Sequence, residues 1–386
     1  LGFIKGNMKR IAPALIFLSL GWLNAEEPAT ITIRKGDSTN LAIKTLGGAN
    51  GAAATKVLQN DLEVSGLFAV TPPERASYTV SGSAAGGSLQ GLVVDGRGST
   101  VLQKTYSGDP RGAAHNFADD IVETLTGQKG IASSKIAFVS TRSGRKEIYI
   151  ADYDGANVQQ LTKDGTLSVS PSISPDRRRL AYTGYQSGYA DIYVVDLASG
   201  ARNRAIKYPG TNSGAAFSPD GGRLAFTASR DGNPELYVAS ANGSGGRRLT
   251  RTRGVESSPT WSPNGSEIIY SSDERGGPQL YRINAAGGTG TLVPTGYSYV
   301  TEPSWSPDGK KLAFTARTGG FSIVMKDLQG GASKVLASGE DPAFGANSRH
   351  VVYSSGSSIV LLDTVTGKSF PVISGLGKLS EPSWSR

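Results

Sequence analysis

Three carboxylates are the residues best placed to act on something outside the chain. Glu302, Asp341 and Glu381 each stand immediately before a proline at the head of an apolar strand pattern. If that pattern repeats around an axis, the three acids crowd one spot. Like charges at short range raise the free energy unless a cation or a hydrogen-bond donor meets them. Such a mouth would receive a cation or a polypeptide. Arg142, Arg230, Arg275 and Arg317 recur at an equivalent place further out, as a basic collar to an acidic centre. Bond-breaking chemistry has little to work with. The chain has two histidines, His115 in a helical pattern and His350 at the start of a strand pattern, whereas a Ser–His–Asp triad needs a histidine beside a serine and an acid. There is no Gly-x-Ser-x-Gly elbow. Without Cys or a His-x-x-x-His pair, zinc has no ligand set in the sequence, and no Gly-x-Gly-x-x-Gly or Walker pattern occurs. Both histidines read as structural, and the chain as a non-enzyme with no cofactor and no metal.

The elements that must position these residues announce themselves by a period. Ser174-Pro175-Asp176, Ser218-Pro219-Asp220-Gly221, Ser262-Pro263-Asn264-Gly265 and Ser306-Pro307-Asp308-Gly309 begin 44, 44 and 44 residues apart. A repeat of about 40–45 residues with strand content predicts propeller blades. Proline presets φ in the turn, Asp tolerates the next position and Gly ends it, so adjacent antiparallel strands are joined tightly. The third strand of the unit recurs at Ile148-Tyr149, Ile192-Tyr193, Leu236-Tyr237, Leu280-Tyr281, Ile323-Val324 and Ile359-Val360, which counts six blades; the last has a degraded turn, Gly345 to Ser348. The first blade opens on a second-strand sequence, Lys135-Ile136-Ala137-Phe138, and the chain finishes on a first-strand sequence within 380–385. Pairing the two closes the ring and removes an open sheet edge. Trp261, Trp305 and Trp384, two residues after their prolines, are expected between blades. The loops before the inner strands (208–213, 254–258, 297–302, 339–341 and 379–381) are expected on one face with the loops carrying the four arginines.

Residues 26–129 lack the repeat and read as a small α/β domain, with the propeller over 130–386. Ala29 to Ile33 alternates as a strand, Asn50 to Leu62 is helix-forming, and Leu67–Val70 and Tyr78–Val80 are strands. Leu89–Val94 and Thr100–Tyr106 flank an Asp95-Gly96-Arg97-Gly98 hairpin turn. Pro110 to Thr126 is a helix with Ala114, Phe117, Ala118, Ile121, Val122 and Leu125 in one stripe, ended by Gly127. Gly36 to Asn40 would permit a hinge. Residues 1–25 have a basic start at Lys9-Arg10, an apolar run Ile11–Leu23 too short to span a bilayer and a small residue, Ala25; they predict a secretory signal peptide, with 1–7 upstream of the true start. Forty basic residues, less Lys5, Lys9 and Arg10, against 32 acidic ones leave a net charge of about +5 without a dominant run. That is no nucleic-acid footprint. A soluble exported monomer, not inserted in the membrane, is expected.

The run Arg111-Gly112-Ala113-Ala114-His115, Ala118-Asp119-Asp120, Leu125-Thr126-Gly127, Gly130 and Lys135-Ile136-Ala137-Phe138 resembles, in order and spacing, the helix, linker and first propeller strand of the TolB family. Asp152-Tyr153-Asp154-Gly155 and the Ser-Pro-Asp-Gly turns extend the resemblance over nearly the whole mature chain. It implies a mainly β fold, a six-bladed β-propeller with a small N-terminal α/β domain, located in the periplasm. It implies binding of the lipoprotein Pal at the channel face, with Thr211, Asn212, Ser257, Ser258, Thr301, Glu302, Asp341 and Glu381 in the contact region. Thr211 stands where family members often carry His, and Ser257-Ser258 where they often carry Thr-Glu. The resemblance also implies that the mature N-terminal segment, here Thr30-Ile31-Thr32-Ile33-Arg34 within 26–34, engages TolA as an added strand. The role implied is a non-enzymatic adaptor supporting outer-membrane integrity and invagination during division. Two other readings of the repeat stay open: the propeller half of a prolyl-oligopeptidase-like serine peptidase, and a glycan-binding propeller.

Overall fold

The computed structural model describes residues 38–385. The signal-peptide segment and Thr30–Arg34 lie outside them. The N-terminal α/β region is a five-stranded sheet in the order β2-β1-β3-β4-β5, with β1 Thr39–Ile43, β2 Phe68–Val70, β3 Tyr78–Ala85, β4 Ser88–Asp95 and β5 Thr100–Ser107. β1 runs parallel to β2 and β3, and the rest pair antiparallel. The hinge expected at 36–40 is overturned at its end, because Thr39 and Asn40 pair with Phe68 and Ala69. Two helices cover the sheet, α1 (Gly51–Val64) and α2 (Pro110–Thr126). Asp109 caps α2 by accepting from the Gly112 N–H, Pro110 opens it, and Gly127 ends it at φ 69. Phe117 packs so closely over Gly91 that a Cβ there would meet its ring at 2.6 Å. The glycine is what lets helix and sheet approach.

Six four-stranded sheets follow, each antiparallel from the inner to the outer strand. Blade 1 draws its inner strand, Leu379–Trp384, from the end of the chain and pairs it with Lys135–Ser140, in the register Leu379↔Ser140 to Trp384↔Ile136. The inner strands of blades 2 to 6 are Ser168–Ile173, Asn212–Phe217, Glu256–Trp261, Val300–Trp305 and Glu340–Phe344. The repeated turns join first to second strands. In the third blade the Ser218 hydroxyl accepts from the Arg223 N–H at 2.9 Å and donates to Asp220. The fourth turn position is left-handed whether it is Gly221 (φ 66), Arg177 (φ 60) or Ser348 (φ 55); the degraded sixth turn therefore keeps the backbone while losing the motif. Trp261 lies in the seam with Leu236 and Val238 of the preceding blade, its indole N–H on the Ala216 carbonyl at 3.0 Å.

The α/β region sits on the turn side of the ring, over blades 6 and 1. One continuous core runs from Leu58, Leu62 and Phe117 through Ile131 to Ile136, Tyr153, Leu361 and Trp384. Arg349 of the sixth turn pairs with Asp363 at 2.6 Å and donates to the Gly66 carbonyl at 2.9 Å. That leaves the opposite side, where the inner strands begin, free of the α/β region.

Candidate functional site at the channel face

The acids do not lie in loops ahead of the inner strands, as the sequence suggested. Each is inside its strand, and the proline that follows is mid-strand. Every blade's inner strand changes register one or two residues in, and the residue at that bulge is left-handed: Ser170 (φ 52), Gly214 (φ 63), Ser258 (φ 50), Glu302 (φ 54), Asp341 (φ 56) and Glu381 (φ 54). A bulge adds one residue to one strand and re-aims its side chain. The result is a six-membered ring of re-aimed positions around the channel mouth, three acidic and three small.

The three acids come together and donors meet them. Glu302 Oε2 accepts from the Asp341 N–H at 3.1 Å and from Thr315 Oγ1 at 2.6 Å. Asp341 Oδ2 accepts from the Glu381 N–H at 2.9 Å and from Ser354 Oγ at 3.0 Å. Glu381 Oε2 accepts from the Ser170 N–H at 2.7 Å, and its other oxygen lies 3.5 Å from Lys146 Nζ. Each carboxylate thus holds the next blade's bulge, in a relay from blade 5 through 6 and 1 to 2. Burial and then the Asp341 charge push Glu302 up to about 7. Burial likewise raises Asp341, against the donors that stabilise its charge.

Of the other expected contact residues, Thr211 is exposed and exchanges backbone and side-chain bonds with Ser229. Ser257 and Thr301 are half-buried in their strands. Asn212 is not available: it is fully buried, donating to the Tyr208 carbonyl at 2.8 Å and to Asp191 at 3.3 Å. It is a seam residue because it opens an inner strand packed against the preceding blade. Arg142, Arg230, Arg275 and Arg317 are exposed in, or at the edge of, the hairpins between second and third strands, on the same side as the starts of the inner strands. Leu167, Tyr189, Val255 and Phe321 are exposed on that side too, Tyr189 at 69%.

Two clusters escaped the sequence reading. Glu235 opens a third strand and Glu256 the next blade's inner strand; both are fully buried, and each keeps one oxygen without a partner. Glu235 is met by Arg248 at 2.5 Å, Glu256 by Thr252 at 2.7 Å and Ser272 at 2.8 Å. Burial, with the Glu235 carboxylate adding to it, pushes Glu256 up to about 7. Aligning Glu147, Asp191 and Glu235 as the acids that open third strands would have signalled it. The second cluster assembles His115, Asp152 and Asp154, each with a side-chain nitrogen or oxygen within 4.8 Å of the others. No sequence spacing shows that set, since its members come from the two structural regions. His350 is buried at the turn side, where desolvation holds it down to about 4 and therefore neutral.

A ring of six blades sealed by its own last strand, with an α/β region on its turn side and an open channel face, defines the class of this protein: a propeller built to present a face. The model of the TolB beta propeller domain matches residues 122–386, and the chain belongs to that family. The Tol-Pal system protein TolB of Geobacter sulfurreducens is 35% identical over 171 residues, 36% of this chain and 39% of that protein. The TolB homolog of Chlorobium luteolum is 34% identical over 194 residues, 40% of this chain and 44% of that one. The matched stretch therefore spans about two-fifths of the length of these relatives. The crystal structure of TolB from Acinetobacter baumannii superposes with a TM-score of 0.80 at 27% identity, covering 90% of this chain and 97% of that one. A putative TolB from Agrobacterium tumefaciens, at 18% identity and TM-score 0.52, shares the fold.

Proposed function

We propose that this chain is a non-enzymatic periplasmic adaptor of the Tol-Pal system. Its channel face receives the lipoprotein Pal, and its N-terminal segment around Thr30–Arg34 engages TolA, so that the protein supports envelope integrity and invagination during division. The domain reading that goes with it is an exported chain with an α/β domain over 26–129 and a propeller over 130–386. The observation that carries the proposal is a face that the α/β region does not cover among the described residues. Around a mouth of carboxylates it offers exposed arginines and the apolar side chains Tyr189, Val255 and Phe321, all on the side away from the α/β region. Tyrosine and arginine in such a setting favour a protein partner. Both histidines lie away from that face, and the acids at the mouth are engaged in holding the ring.

Calorimetry with purified Pal tests the proposal, together with the double variant Arg230→Glu/Arg275→Glu. Saturable one-to-one binding that the variant weakens at least tenfold supports it. Absence of binding, with turnover of a peptide library or retention on a glycan array instead, would refute it in favour of the peptidase-like or glycan-binding reading. Deleting Thr30–Arg34 is expected to abolish TolA binding and leave Pal binding intact.

A further inference from the structure

Where the α/β region meets blade 1, charged groups from four elements converge. α1 supplies Asp61, α2 supplies Arg111 and His115, the end of the third strand of blade 1 and the turn after it supply Asp152, Tyr153 and Asp154, and the strand before it supplies Lys135. Asp61 and His115 are each 3% exposed. Asp61 accepts from the Tyr153 hydroxyl at 2.6 Å, and its other oxygen lies 2.7 Å from His115 Nδ1. His115 Nε2 faces Asp154 at 4.0 Å and has no hydrogen-bond partner of its own. Arg111 pairs with Asp154, and Lys135 reaches Asp152 at 2.5 Å. Asp119, further along α2, is taken up by the N–H groups of Ala132 and Ser133 at 2.7 and 2.9 Å.

The charges around the imidazole do not balance. Asp61, Asp152 and Asp154 bring three negative charges to Arg111 and Lys135, and one positive charge is missing. A divalent ion on His115, Asp152 and Asp154 would overshoot, because it would compete with Arg111 and Lys135 for oxygens they already hold. A single proton on the imidazole closes the balance and gives Nε2 a hydrogen to direct at Asp154. We propose that a proton on His115 latches the α/β region to the propeller, the imidazolium bridging Asp61 of α1 and Asp154 of blade 1, and that losing it on raising the pH loosens this seam.

The direction of titration agrees. Burial pulls His115 down, but the Asp61 hydrogen bond and the charges of Asp61 and Asp154 outweigh it, with Arg111 opposing, and hold it above the usual 6.5. A folded value above the unfolded one means the latch contributes fully below pH 6.5 and is lost as pH rises through the folded value. The latch does not depend on which partner occupies the channel face.

With two histidines in the chain, an imidazole NMR titration of the untagged full-length protein tests it directly. One imidazole is expected to titrate with a midpoint above 6.5 and to vanish in His115→Gln, while the other stays neutral down to about pH 4. Tyr153→Phe, which removes a donor from Asp61, should move the first midpoint further up and serves if the glutamine variant fails to fold. Amide exchange at residues 128–134 should accelerate from pH 6 to pH 9, beyond the intrinsic rate, in the wild type relative to His115→Gln. A midpoint at or below 6.5, a midpoint unmoved by Tyr153→Phe, or equal protection of that stretch in both proteins at every pH would overturn the proposal. So would stoichiometric Zn2+ that shifts the His115 resonance at neutral pH, which would put a metal in place of the proton.

Discussion

Replacing Glu302 with Gln isolates the charge at the mouth from its hydrogen bonds. The amide keeps an oxygen for the Asp341 N–H and the Thr315 hydroxyl, at 3.1 and 2.6 Å in the native protein, and removes the titrating group. Glu302 is raised from 4.5 to about 7, by burial first and by Asp341 second. Each pKa unit is worth about 1.4 kcal/mol, so ionising this buried carboxyl lowers folding stability by about 3 kcal/mol. The sign follows from the raised value: the contribution is fully present below pH 4.5 and disappears as pH climbs through 7. At roughly 2 °C per kcal/mol for a chain of this size, the variant should melt about 5 °C above wild type at pH 8.5 and close to it at pH 4.5. Calorimetric melts of both proteins across that range, compared pH by pH so that all other carboxylates cancel, measure the difference. A gap that does not vary with pH, or a variant less stable at pH 8.5, would show that the acid is stabilised as a charge and that the reasoning about the ring is wrong.

Trp384→Ala removes the side chain that seats the closing strand between Gly345 and the linker, together with its indole bond to Ser134 at 2.7 Å. A loss of about 4 kcal/mol in denaturant unfolding is expected, and a loss under 1 kcal/mol would contradict the closure energetics. Gly155→Ala places a Cβ 1.9 Å from the Val372 carbonyl oxygen at φ +82; destabilisation of about 2 kcal/mol or more should appear in the same assay, and a neutral result would mean that this turn is not packed against blade 6. Arg230→Ala/Arg275→Ala, both exposed, should leave stability within about 0.5 kcal/mol and slow association of a protein partner while flattening its salt dependence. Unchanged stopped-flow kinetics would remove the arginines from the encounter surface.

The propeller was legible because its information is local. A Ser-Pro-Asp-Gly turn carries its own hydrogen bonds, Ser218 to Asp220 and Arg223, so its spacing reports the blades directly. Helix α2 was legible for the same reason, its apolar stripe and its Asp109 and Gly127 ends lying within one stretch. β1 was not, because its two parallel pairings depend on Phe68–Val70 and Tyr78–Val80, segments far along the chain. The carboxylates of the mouth were found, but in the wrong element. A proline ordinarily marks an edge or a strand start, whereas here the residue before it is left-handed and the register slips at that point. The histidine latch was invisible, since Asp61, His115 and Tyr153 are distant in sequence and share no periodic pattern.

The asymmetry of the ring tells which part of the mouth has a structural duty. The bulge positions of blades 2, 3 and 4 are Ser170, Gly214 and Ser258; those of blades 5, 6 and 1 are Glu302, Asp341 and Glu381. The acids stand around the one seam that no continuous chain closes, the pairing of Leu379–Trp384 with Lys135–Ser140, and two of them, Asp341 and Glu381, belong to blades 6 and 1, which carry the α/β region on their other side. The relay across blades 5, 6, 1 and 2 ties the closing strand to both neighbouring blades, and Glu302, pushed up to about 7, holds a proton in it below that pH. The small-residue half has no such duty. It is also where Thr211, Ser257 and Ser258 lie, beside exposed Tyr189, Val255, Arg230 and Arg275. Under the proposed function, blades 2 to 4 are where we place the partner, while the acidic half bonds one blade to the next.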